Sequence, residues 1–361
     1  MARVRTALVG CGKVGGIHAQ ALANLSESEF VAVCDSDRGR AEAFAARYGV
    51  APFTDVAAMI EESRPQAILI GTPHPLHAAP AVVAARAGVH VLVEKPLAAS
   101  LEDCDAMLAA AREGGVKLGV ISQRRWYEPV RRMKQAVAEG KIGRPAIGVF
   151  TMYSWRDQAY YQSDPWRGRW DAEGGGVLMN QSPHMLDLLT WLMDDEVEEV
   201  CGFAANVNHP YVEVEDTAVA VLMFRRGGLG SIVSSLAQKP GIHAKIHLHG
   251  DSGASIGVET DRGATFIAGV TPIAEPPLND LWTVPGEEDR LAAFQAEDRA
   301  RFASLDAVTH YHQLQIHDFL DAILSDRPPA VTGEAGRRVV ALVQAIYQSS
   351  RERRLIKMTD V

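Results

Sequence analysis

The chain is short of cysteine and lacks blocks of basic residues and long apolar runs, and each of these removes a class of function. Its four cysteines (Cys11, Cys34, Cys104, Cys201) are scattered with no C-x-x-C pair. That pattern indicates neither a disulfide framework nor a thiolate zinc site and makes them packing residues. No basic block interrupts a net charge of -9, which argues against nucleic acid or an anionic membrane surface as the main partner. No apolar run approaches the roughly 20 residues that span a bilayer, and the chain starts into a strand without signal-peptide architecture, so a cytoplasmic location is expected. Internal repeats and low-complexity tails are lacking too. What the chain has is length and apolar content, 361 residues at 47% hydrophobic, enough for a large core and two domains.

The most informative stretch is the first thirty-five residues. An apolar strand, Val4 to Val9, runs into G-C-G-K-V-G, and Asp35 ends the next apolar run, twenty positions after Gly15. This order reads as a dinucleotide-binding βαβ unit. Gly10 allows the tight turn, Gly12 lets the backbone approach a pyrophosphate, and Gly15 lets helix and strand pack closely. The helix opening at Lys13 and Val14 would aim its free N–H groups at the phosphates. A carboxylate at Asp35 would accept from the adenosine ribose hydroxyls and repel a 2′-phosphate, favouring NAD, while Arg38 and Arg40 keep NADP open.

Through residue 122 short β-rich runs alternate with helical stretches, which predicts a Rossmann-type parallel sheet covered on both faces. The runs are Val31 to Cys34, Ala67 to Ile70, Val89 to Val93 and Val116 to Val120. Ligands of such sheets lie beyond the carboxyl ends of the strands, so Gly71 to His77, Glu94 to Pro96 and Ser122 to Arg125 become candidate site segments. Thr72, Pro73 and His77 thereby join the cofactor candidates. Beyond residue 140 period-two runs (Ala146 to Trp155, Val197 to Val207, Thr217 to Phe224, Leu229 to Leu236, His243 to Gly250) predict a large, mostly antiparallel open sheet in an α+β domain spanning 123–361. Helices are expected near Met185 to Met193, His310 to Leu324 and Glu334 to Ser350. Pro272 to Asp306, rich in Pro, Glu and Asp, reads as an excursion or a partner-contacting arm.

Three further motifs occur in order: T-P-H-P-L-H (Thr72 to His77), V-E-K-P (Val93 to Pro96) and G-G-G-V-L-M-N-Q-S-P-H-M-L-D (Gly174 to Asp187). Together with the glycine turn they resemble the Gfo/Idh/MocA family of sugar and cyclitol oxidoreductases, along essentially the whole chain. The resemblance implies that Lys95 reaches between nicotinamide and substrate, that Glu94 contacts the cofactor ribose, and that Pro96 follows a cis bond. It implies that His184 is a catalytic histidine of the substrate domain, facing the lysine. Chemistry supports both, because removing hydride from a carbinol requires loss of the hydroxyl proton. An amine beside a positively charged ring can have a depressed pKa, and imidazole titrates near neutrality. Asn180 stands where the commoner family pattern has an aspartate, and an amide can orient a hydroxyl but cannot take its proton. This N-Q-x-x-H variant is similar to members that oxidise the 3-hydroxyl of pyranosides and nucleotide sugars. Asn180 and His184 share a face if the segment is already helical, with Pro183 in the first turn and Ser182 as a possible cap.

For the substrate, Arg124, Tyr161, Trp166 and Arg167 are nominated, since aromatic faces with arginines suit a sugar ring and an anionic substituent; an aromatic subunit interface or a folded loop is the alternative. The pairs His247/His249 and His310/His312 invite a metal reading, but no acidic or cysteine partner accompanies either in sequence, so no metal is assigned. The expectation is an NAD-dependent dehydrogenase of a sugar hydroxyl, with a cyclitol or polyol dehydrogenase or a keto-sugar reductase as alternatives. A non-catalytic dinucleotide-binding sensor is a further reading, although such a protein would need neither Lys95 nor His184. An open sheet needs its outer face covered, so a homodimer or homotetramer is expected.

Overall fold

The computed structural model describes residues 2–260 and 275–361. Strands β1 (Val4–Val9), β2 (Ser28–Cys34), β3 (Ala51–Phe53), β4 (Ala67–Ile70), β5 (His90–Val93) and β6 (Leu118–Val120) form a sheet in the order β3-β2-β1-β4-β5-β6. It is parallel throughout. Helices α1 (Lys13–Asn24), α2 (Arg38–Tyr48), α3 (Val56–Ser63), α4 (Ala78–Arg86) and α5 (Leu101–Gly114) make the crossovers. The order reverses between β1 and β4, which is where a doubly wound sheet opens a crevice for a ligand. Continuous apolar strands fit a sheet buried on both faces, and every residue of β4 is buried.

The second sheet joins β7 (Pro145–Tyr153), β8 (Val197–Ala205), β9 (Thr217–Phe224), β10 (Leu229–Ser235), β11 (His243–Gly250), β12 (Ser255–Thr260), β13 (Leu278–Trp282) and β14 (Ile356–Lys357) in the order β13-β12-β11-β7-β10-β9-β8-β14. Among the described residues of this sheet, β7 and β10 pair in parallel and the other pairings are antiparallel. Helices of this part include α6 (Glu128–Ala138), α7 (Gln158–Gln162), α8 (Trp170–Glu173), α9 (Pro183–Met193) and α10 (Leu291–Ala303). Along β9, Ala218, Ala220, Leu222 and Phe224 point into the core while Val219, Val221 and Met223 face outward. The period-two pattern therefore marks a half-buried strand that is apolar on both sides.

By contact density the described residues form two compact units, one of 2–123 and 306–340, the other of 124–260, 275–305 and 341–361. The sequential boundary at 122/123 misses the return of α11 (Ala307–Leu324) to the first unit. There Ile316, Phe319 and Leu320 share one core with Val4, Leu8, Leu22 and Leu69. Gln315 finishes the join: its Oε1 accepts from Ser122 N at 2.8 Å and its Nε2 donates to Val120 O at 2.8 Å.

The excursion expected at Pro272 to Asp306 is corrected for its described part. Residues 275–305 supply the edge strand β13 and helix α10, whose Phe294 meets Trp282 edge-on at 5.2 Å and lies 4.2 Å beneath the Arg132 guanidinium. Residues 272–274 lie outside the described residues. The pattern fails because Asn279 and Asp280 interrupt the apolar run. Asn279 is buried, donating to Pro129 O and Gly257 O, and Asp280 accepts from Lys245. Hydrogen bonds made across the sheet satisfy these polar groups, and no local periodicity announces them.

Candidate active site

At the end of β1 the chain turns through Gly10, whose φ of +100° suits glycine, and a Cβ there would come within 2.7 Å of Gly71 C. A Cβ on Gly15 would stand 2.0 Å from Gly10 O, whereas Gly12 has nothing within 4 Å of that position. Backbone thus closes on backbone at two glycines and leaves open space at the third. Gly12 leads into α1 without a side-chain cap, so the first-turn N–H groups, those of Lys13 and Val14 among them, have no carbonyl to meet within the helix. This is the cradle that a pyrophosphate needs. Asp35 lies just past β2; its Oδ2 accepts from Cys11 N and its Oδ1 from Asp37 N, each at 2.8 Å. Each oxygen retains a lone pair for a ribose hydroxyl. Arg38 pairs with Glu42 at 2.8 Å, and Arg40 pairs with Asp37 at 3.2 Å. The residues present therefore fit a dinucleotide. Burial pushes the Cys11 thiol in this turn up to about 12, so it is no nucleophile.

Past β5, Glu94 turns inward. Its Oε1 meets His18 Nε2 at 2.9 Å and its Oε2 accepts from Lys95 N at 3.0 Å. Burial alone would raise this carboxyl, but the hydrogen bond from His18 and the charges of His18, His312 and Lys95 outweigh it and bring it down to about 2. His312 meets His18 edge-on at 5.6 Å, and burial followed by the His18 charge lowers its pKa to about 4. Lys95–Pro96 is a cis bond, as the resemblance implies. His77, a cofactor candidate from sequence, is buried with Nδ1 at 3.0 Å from Pro96 O and Nε2 at 3.0 Å from Thr72 O. It ties the Thr72–Pro73 loop to the loop that carries Lys95. Desolvation lowers its pKa, so the ring stays neutral and donates to only one of these carbonyls at a time.

In the second unit Val177–Gln181 forms a π-helical turn, and α9 restarts at Pro183. Proline has no N–H to continue a ladder, so Asn180 and His184 do not sit on one regular α-helix as the spacing suggests. Ser182 does not cap α9 with its side chain; its hydroxyl meets Ser234 Oγ at 2.8 Å instead. Glu215 holds the turn from behind, its carboxylate accepting from Gly176 N, Leu178 N and the hydroxyl of Tyr347 at 2.8, 2.9 and 2.7 Å. A Cβ on Gly176 would stand 1.9 Å from Glu215 O, which is why glycine is needed there. Burial pushes the Glu215 carboxyl up to about 7 against the pull of these donors.

His184 is buried in the first turn of α9. Beside it, Arg124 Nη1 reaches Thr260 Oγ1 at 3.0 Å and Met185 Sδ at 3.3 Å, and Arg125 makes a two-pronged bond to Asp187 at 2.7 and 2.5 Å. Asn180 Nδ2 donates to Glu173 Oε1 at 2.5 Å and reaches the Tyr160 hydroxyl at 3.3 Å. Tyr160 also collects Arg167 Nη1 at 2.6 Å and Gln181 Nε2 at 2.9 Å. The Arg167 guanidinium stacks 4.4 Å from the ring centres of both Tyr160 and Trp166. Tyr161 packs on Tyr160, His209 and Tyr211, and its buried hydroxyl has no hydrogen-bond partner among the described residues. The structure thus gathers Asn180, Tyr161, Trp166 and Arg167 around Tyr160, and sets Arg124 beside Met185, the residue after His184.

The reading that His247 lacks an acidic partner is corrected: Asp280 arrives from β13 at 2.9 Å from its Nε2. His249 Nδ1 meets Ser255 Oγ at 2.8 Å, and among the described residues no group of three or more His, Cys, Asp or Glu could hold a metal ion. Sequence reasoning also passed over His18, Tyr160, Glu173 and Glu215. No motif spacing signals them, because their partners come from 76, 20, 7 and 37–39 positions away.

Comparison with known proteins agrees with this geometry. Residues 4–122 match the model of an oxidoreductase family with an NAD-binding Rossmann fold, and residues 130–256 match the Gfo/Idh/MocA C-terminal domain. The chain is 27% identical to myo-inositol 2-dehydrogenase of Thermotoga maritima over 99% of both chains. It is 30% identical to inositol 2-dehydrogenase of Rubrobacter xylanophilus over 78% of each. Among solved structures, the WlbA dehydrogenase of Bordetella pertussis in complex with NADH and UDP-GlcNAcA superposes with a TM-score of 0.86 at 29% identity, covering 99% of this chain and 98% of that one. With both domains matched and the motifs in order, the chain belongs to the Gfo/Idh/MocA family of oxidoreductases, and its first domain is an NAD-binding Rossmann domain.

Proposed function

We propose that this oxidoreductase converts a secondary hydroxyl, that at C3 of a pyranoside or nucleotide sugar, to a ketone. The observation that carries the reading is the likeness over nearly the full length of both chains to a dehydrogenase solved with NADH and UDP-GlcNAcA. Asn180 and the cationic Arg124 beside α9 are consistent with it. NAD, when bound, supplies the hydride acceptor. The chain's own groups manage the proton and the pose. Lys95 accepts the hydroxyl proton as the C–H bond breaks, His184 passes it on, and Asn180 orients the sugar, with Arg124, Tyr161, Trp166 and Arg167 forming its surroundings. Gly10, Gly12, Lys13, Val14, Gly15 and Asp35 hold the dinucleotide, with the Thr72–Pro73 loop, His77 and Glu94 supporting them.

A second reading, an inositol or polyol dehydrogenase, is favoured by the full-length match to myo-inositol 2-dehydrogenase. Reduction of NAD, followed by nicotinamide absorbance across UDP-GlcNAcA, simple glucosides, free aldoses and inositols, separates the two. Turnover of nucleotide sugars or glycosides without inositols is expected, and inositol-selective turnover would establish the second reading instead.

The outward face of the second sheet bears Ile147, Phe203, Val219, Val221, Met223 and Leu229, each 42–58% exposed. They lie on the adjoining strands β7, β10, β9 and β8. So large an apolar patch fits a homodimer or homotetramer. Light scattering should give a multiple of 39.1 kDa, and Val221→Lys should shift the mass toward one chain; a wild-type mass of one chain would refute the assembly.

A further inference from the structure

Glu215 lies between β8 and β9 in the second unit and is 2% exposed. Three consecutive backbone N–H groups of the π-helical turn end on it. Gly176 N donates to its Oε2 at 2.8 Å, Val177 N to its carbonyl oxygen at 3.0 Å and Leu178 N to its Oε1 at 2.9 Å. The opening N–H groups of a helical turn have no carbonyl to meet within it, and Gly176 offers no side-chain cap. A residue 37–39 positions away therefore does what a capping side chain does locally. Backbone N–H groups only donate, so both side-chain oxygens accept here in either protonation state of the carboxyl.

Tyr347, of the same unit and also buried, donates its hydroxyl to Glu215 Oε1 at 2.7 Å. Burial, then the Glu215 charge, holds this phenol well above the usual tyrosine pKa, so it keeps its proton. A Cβ on Gly175 would overlap that hydroxyl, as one on Gly176 would overlap the Glu215 carbonyl. The glycine run singled out in the sequence thus makes room for the Tyr347–Glu215 pair.

Backbone alone joins the cap to the candidate substrate residues. Gly176 O accepts from Asn180 N and Val177 O from Ser182 N, each at 2.9 Å. Ser182 O in turn accepts from Met185 N and Leu186 N at 2.9 Å. A shift of the capped N–H groups is passed along these bonds to Asn180 and to the first turn of α9, which carries His184.

We propose that Glu215, backed by Tyr347, is a positioning residue of the reaction, fixing from outside the turn the places of Asn180 and His184. The proposal rests on the reading of those two as groups that handle the substrate. Acceptance on both oxygens is what makes a carboxyl specific. In Glu215→Gln an amide of the same shape has one accepting atom, and whichever way it turns its NH2 meets either Gly176 N–H or Leu178 N–H. Tyr347→Phe removes one donor and leaves both backbone bonds, so it is the milder change. If Tyr347 acts through Glu215, the double variant will be little worse than Glu215→Gln.

The test compares wild type, Glu215→Gln, Tyr347→Phe and the double variant well below their melting transitions, where a residue that only stabilises the fold leaves kcat unchanged. Hydrogen exchange needs no substrate. Amides of residues 176–182 should exchange about tenfold or more faster in Glu215→Gln, while those of β1 and α1 keep the wild-type rate. With NAD and whichever of UDP-GlcNAcA and myo-inositol wild type oxidises, kcat should fall about 10²-fold in Glu215→Gln, the cost of misplacing reacting groups by about 1 Å. Tyr347→Phe should lose about fivefold, the worth of one hydrogen bond. NAD affinity should stay within about threefold of wild type, because the dinucleotide turn belongs to the other unit. Wild-type kcat in Glu215→Gln, unaltered exchange at 176–182, or strictly additive losses in the double variant would overturn the proposal. Should Glu215→Gln fail to fold, Tyr347→Phe is read alone, and wild-type kcat and exchange in it would overturn the proposal equally. Oxidation of neither compound by wild type sinks the substrate reading, and the exchange arm then decides the cap by itself.

Discussion

Lys95→Met will abolish turnover while leaving NAD binding intact. The side chain keeps its length and apolar stem but loses the amine, so the carbinol proton has no acceptor as hydride leaves; loss of a general base costs about 10²–10⁴-fold in kcat. The substitution is clean because the backbone at this position is held by contacts that do not use the amine. Lys95 N donates to Glu94, and the Pro96 and Leu97 carbonyls face His77. Nucleotide affinity, measured by quenching or calorimetry, should stay within about threefold of wild type. Activity retained at the wild-type level would remove Lys95 from the mechanism. Loss of turnover together with loss of NAD binding would instead make it a cofactor ligand.

The second large effect is acid lability seated in the buried cluster of His18, Glu94 and His312. Burial, joined by the nearby charge of His18, holds His312 down to about 4, while Glu94 and Asp306 act the other way. A histidine whose folded pKa lies below its unfolded value of about 6.5 contributes stability above that value and loses it as pH falls toward about 4. A shift of this size corresponds to about 3 kcal/mol. His77, also depressed by burial, acts with the same sign as pH falls below its unfolded value. Glu94, depressed to about 2, gives way only below its unfolded value of about 4.3, so the histidine phase comes first. Denaturant unfolding at about pH 7 and about pH 4.5 should show His312→Leu losing less stability than wild type over that interval, by about 2–3 kcal/mol. Equal losses in the two proteins would place the acid-sensitive group elsewhere. Because this cluster supports the residue before Lys95, acid should loosen that loop as well as the fold around it.

Much of the first domain could be read in the sequence because its signals are local. Five of its six strands are short apolar runs bounded by turns, and the glycine turn needs only residues five apart. Strand β3 escaped because three residues, one of them proline, carry no period. The second domain was legible as a sheet but not in its edges, since the polar centre of β13 is satisfied from α6 and β12.

The sequence by itself determined the dinucleotide turn, with Asp35 beyond the second strand, and the place of Lys95 beyond β5. Each depends on backbone geometry or chain order within a single βαβ step, and local residue choice dictates that. Tertiary structure alone decided that α11 returns to complete the first core, that His77 and Glu94 work as internal ties, that Asp280 meets His247, and that Glu215 holds the turn before Asn180. Those pairings join segments separated along the chain, and whether a buried polar group finds a partner of the right donor or acceptor type is a property of packing that no local pattern encodes.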